Sequence, residues 1–208
     1  MKNLFLICLL ISVGMFGQNN GKNKVIKKSS LESITLAGGC YWCVEAIYEN
    51  LNGVQSAVSG YAGGKNGNPT YEDVSTGRTG YAEVVQLTFD TNVTNLDEIF
   101  KVFFTVHDPT TLNRQGADVG TQYRSAIFYK NQEQKNAAQN IINALKNAKI
   151  YDNPVITTLE PLSKFYKAEQ YHQNYYANNK TQPYCQMVIQ PKMEKFEKLF
   201  KSKLKNKK

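Results

Sequence analysis

Glu32-Ser33-Ile34-Thr35-Leu36-Ala37-Gly38-Gly39, followed directly by Cys40-Tyr41-Trp42-Cys43-Val44-Glu45, sets the reading of the whole chain. Residues 32–37 alternate polar and apolar with the two-residue period of a half-buried strand, and the glycine pair closes it. From Cys40 to Asn52 the apolar residues Val44, Ile47, Tyr48 and Leu51 recur at helical spacing, and Asn52-Gly53 ends the run. Val54 to Tyr61 alternates again and stops at Ala62-Gly63-Gly64. The pattern predicts strand, helix, strand.

Beyond this unit, residues 65–80 are rich in Gly, Asn and Thr and show no periodicity, so they read as a long structureless loop, a type that is commonly functional. Tyr81 to Phe89 is the next predicted strand. A helix capped by Thr94 or Asn95 runs to Val106, with Leu96, Ile99, Phe100 and Phe103 on one face, and Asp108-Pro109 stops it. A second polar loop, 109–120, precedes a strand over Tyr123–Tyr129 and a helix over Gln132–Lys149. Val155–Leu159 reads as a short added strand, Lys167–Asn178 as helical, and Met193–Leu204 as a last amphipathic turn or two. From 32 to 130 the order is strand–helix–strand–strand–helix–strand. That is the split βαβ (ferredoxin-like) core of a two-layer α+β fold, with both helices on one face, an additional C-terminal helix and long loops.

A chain of 208 residues, 41% hydrophobic, is long enough for one domain with a proper core. Its net charge of +8 is concentrated at the ends. Residues 1–30 hold five Lys and no acid, residues 191–208 hold eight Lys and two Glu, and 31–190 therefore carry −3. That distribution gives no support to nucleic-acid recognition. The basic tail, 191–208, reads as a solvated end, suited only to weak contact with an acidic membrane surface. Met1-Lys2-Asn3, the apolar run Leu4–Phe16 and Gly17 have the form of a secretory signal peptide, residues 1–17. Residues 18–30 read as a polar basic linker and 31–190 as the catalytic domain. The expected location is accordingly exported, periplasmic or otherwise extracytoplasmic.

Cys8 lies in the apolar run and would leave with it, which leaves Cys40, Cys43 and Cys185. Three cysteines in an exported chain are an odd number and point to redox chemistry rather than a structural framework. Cys40 stands at a predicted helix start, where free N–H groups favour a thiolate and should lower its pKa. Cys43, on the same face of the first turn, is placed to capture an oxidised Cys40 as a disulfide. C-x-x-C is also zinc spacing, but a second pair is missing and His107, His172 and Cys185 are scattered. A thioredoxin-like redox pair is a further reading, although there the tryptophan usually precedes the first cysteine, whereas Trp42 lies between the two.

GGCYWCVE (38–45), SGYAGG (59–64), NPTYEDV (68–74), TGYAEVV (79–85), HDPTTLNRQGADVGTQYRS (107–125) and AEQYHQNY (168–175) together resemble the A-type peptide methionine sulfoxide reductases, over residues 33–190. The resemblance implies that Cys40 is the nucleophile and that Tyr41 and Trp42 are an aromatic pair around the methyl group on the substrate sulfur. The family usually has Phe where this chain has Tyr41. Glu83 matches the family acid, Tyr71 and Tyr123 its two hydroxyl donors, and Asp118 a carboxylate that supports the site. His172 is grouped with the substrate-binding residues as a hydrogen-bonding group. Some members carry a late cysteine on the C-terminal segment and others C-x-x-C at the nucleophile; this chain, with Cys43 and Cys185, has both. The resemblance also implies a monomer acting on the S epimer in oxidised proteins and peptides, with no bound cofactor and with thioredoxin or another dithiol as external reductant.

The residue types suit that chemistry on their own terms. A sulfoxide sulfur is electrophilic only when its oxygen is protonated or hydrogen-bonded, so a thiol needs a proton donor beside it. A carboxyl kept neutral by an apolar pocket and two phenols can supply this. Plainer roles fit the same residues: Glu83 as an outward strand charge, Tyr71 and Tyr123 as packing residues, Asp118 as a turn residue, and His107 as a helix-end residue suited to the dipole. A metal- or peptide-binding module on the same fold is the rival from another class.

Overall fold

β1, Leu31–Gly38, realises the predicted alternation: Ile34 and Leu36 enter one core, while Ala37 packs on the other side of the sheet. The computed structural model describes residues 30–65 and 67–206, so the expected signal peptide (1–17) and linker residues 18–29 lie outside the described residues. After β1 come α1 (Tyr41–Glu49), β2 (Val54–Ala62), α2 (Tyr71–Ser75), β3 (Ala82–Asp90) and α3 (Leu96–Val106). A two-residue hairpin follows, β4 (Arg114–Gln115) and β5 (Asp118–Val119), then a 3-10 turn (Thr121–Tyr123), β6 (Ser125–Tyr129) and α4 (Gln132–Asn147). The chain closes with β7 (Thr158–Pro161), β8 (Tyr166–Lys167), a 3-10 turn (Gln170–His172), α5 (Tyr175–Asn178), a π-turn (Cys185–Ile189) and α6 (Gln190–Leu199).

The sheet order is β7-β6-β1-β3-β2-β8, antiparallel except for the β6–β7 pair. Its four long strands, β6-β1-β3-β2, have the split βαβ arrangement, as expected. Ile34 stands opposite Leu87, and Leu36 opposite Ile127. On one face Val85 and Leu87 meet Val44 and Ile47 of α1 and Ile99, Phe100 and Phe103 of α3. Burying each such side chain stabilises the fold by about 1.5–3 kcal/mol. The Tyr48 hydroxyl, deep in this layer, donates to the Ile99 carbonyl at 2.7 Å and ties the two helices together. The opposite face is small: Ala37, Ala62, Ala82, Val84, Ala126 and Phe128 pack under Leu162 and Phe165.

Three elements differ from the sequence reading. The loop 65–80 contains α2, started by a capping box in which the Thr70 side chain accepts from Asp73 N at 3.2 Å and Asp73 reaches back to Thr70. The helix expected over Lys167–Asn178 is broken into β8, a 3-10 turn and the four residues of α5. Two features prevent one continuous helix. Asn174 is left-handed (φ 52°), and the Gln173 side chain bonds Ser59 on both its N–H and its C=O, at 3.2 and 3.0 Å, and the Ala168 carbonyl at 2.9 Å. Finally, the chain does not leave the domain at 190. Met193 and Phe196 of α6 are buried in the main core, and Leu204 forms a bridge with Leu51.

Candidate active site

The cysteine pair and Glu83 that the sequence singled out meet at the N-terminal end of α1. Gly39 (φ 88°) turns the chain from β1 into that helix, and a Cβ there would lie 2.5 Å from the Gln115 side chain. Cys40 is the N-cap residue, with only 6% of its surface exposed. The first free N–H of the helix, that of Tyr41, donates at 3.0 Å to Oε2 of Glu83. Glu83 lies on β3 opposite Tyr61 of β2 and is 2% exposed. The strand alternation places it inward, so it is not an outward charge.

This arrangement reverses the expected electrostatics of Cys40. The carboxyl takes the helix N–H, and burial pushes the Cys40 thiol well up, helped by its hydrogen bond with Cys43 and by the neighbouring Glu83 charge. Cys43 is lowered to about 7, chiefly because the Cys40 thiol hydrogen-bonds to it. Burial raises Glu83 to about 8 against the opposing Tyr41 N–H bond, with Asp118 and Cys43 adding to the rise. At neutral pH the site therefore holds a protonated carboxyl beside a protonated thiol.

Around this pair stands an aromatic wall. Trp42 stacks on Tyr175 (centroids 3.6 Å apart, 7° between planes) and meets the edge of Tyr184 at 5.7 Å. Its indole N–H donates to His172 Nδ1 at 3.2 Å. The His172 ring lies 5.1 Å from Tyr41 and 4.6 Å from Tyr71. Tyr41 is buried, and its hydroxyl is 3.5 Å from that of Tyr61. Tyr71 opens α2 and Tyr123 ends the 3-10 turn before β6. Both phenols are raised by burial and then by the Glu83 charge, with Cys40 contributing to each, so both sit close to the thiol–carboxyl pair as neutral donors.

Asp118, in β5, is joined to the site through Tyr184, whose hydroxyl donates to Oδ2 at 2.8 Å and also hydrogen-bonds to Cys40. Cys185, the next residue, starts the π-turn; it is fully buried, and burial raises its thiol, with the Cys43 charge adding to this. All three thiols are free. His107 is not part of the site. It ends α3, buried and lowered to about 4 by desolvation, and its ring bonds the Phe103 carbonyl and the Ser125 hydroxyl, so it serves as a neutral strut rather than as a cation on the helix dipole. Among the described residues, no group of three or more His, Cys, Asp or Glu is brought together in a way that could hold a metal.

Sequence reasoning assigned no role to Tyr61, Glu169, Gln173, Tyr175 or Tyr184. Glu169, Gln173 and Tyr175 lie within AEQYHQNY, where the density of polar and aromatic residues in a short stretch was the available signal. Chemically, the site offers a buried sulfur, a carboxyl that can give up a proton, phenols that can bind an oxygen, and an apolar wall for a small alkyl group.

Residues 32–204 match the family model described as peptide methionine sulfoxide reductase. A Saccharolobus solfataricus protein named peptide methionine sulfoxide reductase MsrA is 53% identical over 175 residues, which is 84% of this chain and 98% of that protein. The reduced form of Mxr1 from Saccharomyces cerevisiae superposes with a TM-score of 0.70 at 37% identity, over 76% of this chain and 91% of that one. The same yeast protein, in complex with Trx2, superposes with a TM-score of 0.51 at 30% identity, over 73% of this chain and 91% of that one. By sequence and by fold, the chain belongs to the peptide methionine sulfoxide reductase family, enzymes that use thiols to reduce methionine sulfoxide.

Proposed function

We propose that Cys40 is the nucleophile and Glu83 the general acid, acting on the S epimer of methionine sulfoxide in proteins and peptides and on the free amino acid. The observation that carries this reading is the buried pair itself: a thiol at the tip of α1 and a carboxyl, raised to about 8, bonded to the same helix end. Glu83 gives its proton to the sulfoxide oxygen while Tyr71 and Tyr123 hydrogen-bond to that oxygen. The Cys40 sulfur attacks the substrate sulfur and its thiol proton restores Glu83; the hydroxyl then passes to the Cys40 sulfur as its bond to the substrate sulfur and the new sulfur–sulfur bond both break. Methionine leaves reduced by two electrons, and Cys40 keeps the oxygen as a sulfenic acid. Trp42 and Tyr41 enclose the S-methyl group. Asp118 acts through Tyr184, and His172 through Trp42.

Cys43 then condenses with the sulfenic acid, releasing water and forming a Cys40–Cys43 disulfide. Cys185 is the second acceptor and passes the disulfide outward. An external dithiol, thioredoxin or a protein like it, completes the cycle; the likeness to Mxr1 bound to Trx2 supports this choice. The basic start and apolar run of residues 1–17 support export, and so repair of oxidised proteins outside the cytoplasm by a monomer.

The test is turnover of a peptide carrying each sulfoxide epimer with dithiothreitol, for the unaltered chain and for Cys40→Ser. Reduction of the S epimer alone, abolished by the substitution, is the expected result. Turnover of the R epimer, or activity surviving in Cys40→Ser, would overturn the assignment.

A further inference from the structure

Glu169 lies outside the chemistry just described, yet its carboxylate reaches three parts of the pocket. Oε1 accepts from the Tyr71 backbone N–H at 2.9 Å, at the first residue of α2. Oε2 accepts from the Tyr61 hydroxyl at 2.8 Å, and Tyr61 in turn meets the Tyr41 hydroxyl at 3.5 Å. The same Oε2 lies 3.9 Å from His172 Nε2. These contacts span more than a hundred residues of chain, from β2 through the loop before β3 to the turn after β8. The Glu169 carboxylate and the Tyr71–His172 ring contact at 4.6 Å join the loop to the turn.

We propose that Glu169 is a positioning residue of the sulfoxide site, one carboxylate that sets Tyr61, Tyr71 and the His172–Trp42 pair in register with one another. The proposal rests on the functional reading above and adds to it the device that aligns the oxygen-binding side of the pocket with the methyl-binding side. The geometry gives the carboxylate its particular value. Its two oxygens each accept here; an amide in its place can keep the Tyr71 N–H bond through its oxygen, but its NH2 then faces Tyr61, whose hydroxyl must reverse to accept, and the negative charge beside His172 Nε2 is lost.

The His172 tautomer extends the argument. Trp42 Nε1 can only donate, so His172 Nδ1 must accept and the imidazole proton sits on Nε2, the nitrogen facing Glu169. Protonating His172 therefore breaks its bond with Trp42. Burial opposes that protonation, and the Glu169 charge favours it, with Glu72 contributing in the same sense. The other groups facing the ring are the aromatic rings of Tyr41, Trp42, Tyr71 and Tyr171. Trp42 is the only tryptophan in the chain, so the fluorescence comes from this one indole, and the His172 transition is the one that shifts when the Glu169 charge is removed.

The experiment compares the unaltered full chain with Glu169→Gln and Glu169→Asp, following Trp42 fluorescence against pH and steady-state reduction of a methionine sulfoxide peptide. In Glu169→Gln the fluorescence transition should move to lower pH, and kcat/KM should fall about tenfold, on the order of a tenth of the loss from removing a direct oxyanion donor. Glu169→Asp, which keeps the charge on a shorter arm, should recover part of both. An unmoved fluorescence transition together with unchanged kcat/KM in Glu169→Gln would overturn the proposal. So would Glu169→Asp behaving no better than Gln. If Glu169→Gln does not fold, the same readouts on Tyr61→Phe decide, with unchanged kcat/KM counting against the proposal. Failure of the unaltered chain to reduce any sulfoxide would instead refute the functional reading, and the fluorescence comparison would still decide what Glu169 positions.

Discussion

The two sides of the pocket are made of different material. On one side Cys40, Tyr41, Trp42, Cys43 and Glu83 ride on α1 and β3, regular elements whose main chains are fixed by their own hydrogen bonds. On the other, residues 166–189 pass through a two-residue strand, a 3-10 turn, a left-handed Asn174, a four-residue helix and a π-turn. Side chains hold that side in place: Gln173 on Ser59 and Ala168, Glu169 on Tyr61 and Tyr71, Trp42 on His172, and Tyr184 on Asp118. The proposed reacting groups, with Tyr41 and Trp42, sit where the backbone is self-supporting, and the side chains that back Trp42 and Tyr71 sit where each carries a share of the fold. Changes on the regular side should therefore remove chemistry and leave the scaffold, whereas changes on the irregular side should loosen the scaffold first.

The largest effect is expected at Glu83. Glu83→Gln should lower kcat/KM by about 10²–10⁴-fold, the usual worth of a positioned general acid. In the unaltered enzyme the rate should decline as pH rises through about 8, where the carboxyl loses its proton, and this limb should be absent from the variant. Stability gives an independent check. The buried carboxyl binds its proton more tightly than the unfolded chain does, so its contribution is fully present below its ordinary value of 4.5 and is lost as pH rises through about 8. Thermal melts across that range should slope downward in the unaltered protein and less so in Glu83→Gln.

A middle-sized effect, of a different kind, is expected from Gln173→Ala. It removes the side-chain partner of the buried Ser59 N–H and of the Ala168 carbonyl, while the Ser59 carbonyl keeps the Ala168 N–H, and should cost about 1–3 kcal/mol. For a domain of this size that is about 2–4 °C in Tm per kcal/mol. An unchanged melting temperature would mean that the irregular side is not held by its side chains, and the contrast between the two sides would fail.

The smallest effect belongs to Tyr41→Phe. The hydroxyl faces Tyr61, which keeps its stronger bond to Glu169, so kcat/KM should stay within about twofold and stability within about 1 kcal/mol. A tenfold change in KM for the sulfoxide would show instead that the hydroxyl reaches the substrate.

What was legible in the sequence follows the same division. Alternation at Ile34 and Leu36 and helical spacing at Ile99, Phe100 and Phe103 report on regular elements, and they predicted the sheet and both packed helices. Inward placement of Glu83 follows from the strand period once the core face is known. The capping box Thr70-Tyr71-Glu72-Asp73 was visible as a pattern, but five residues of helix carry too little periodicity to stand out from a loop rich in Gly and Asn. Residues 167–178 misled for the converse reason: Glu169, His172 and Gln173 there satisfy bonds to β2, Trp42 and α2 that no local pattern encodes. The lowered thiol expected at Cys40 failed first because the residue is buried, which no local pattern shows, and then because a distant strand delivered a carboxyl to the first free N–H of the helix.

One feature of the far end of α1 reaches the reacting tip. The Asn52 N–H donates to the Lys203 carbonyl at 2.8 Å, the Lys205 N–H donates to the Asn50 carbonyl at 2.9 Å, and Leu51 bridges Leu204. The last described turn of the chain is thus a bearing on which the butt of the catalytic helix rests. Nine residues of helix make a lever about 13 Å long, so a tilt of about 4° at the bearing swings the sulfur about 1 Å. A displacement of about 1 Å at a reacting centre can cost about a hundredfold in rate. Lys203, Leu204 and Lys205 therefore back the helix that carries Cys40, and a chain shortened before Lys203 should lose turnover as well as stability.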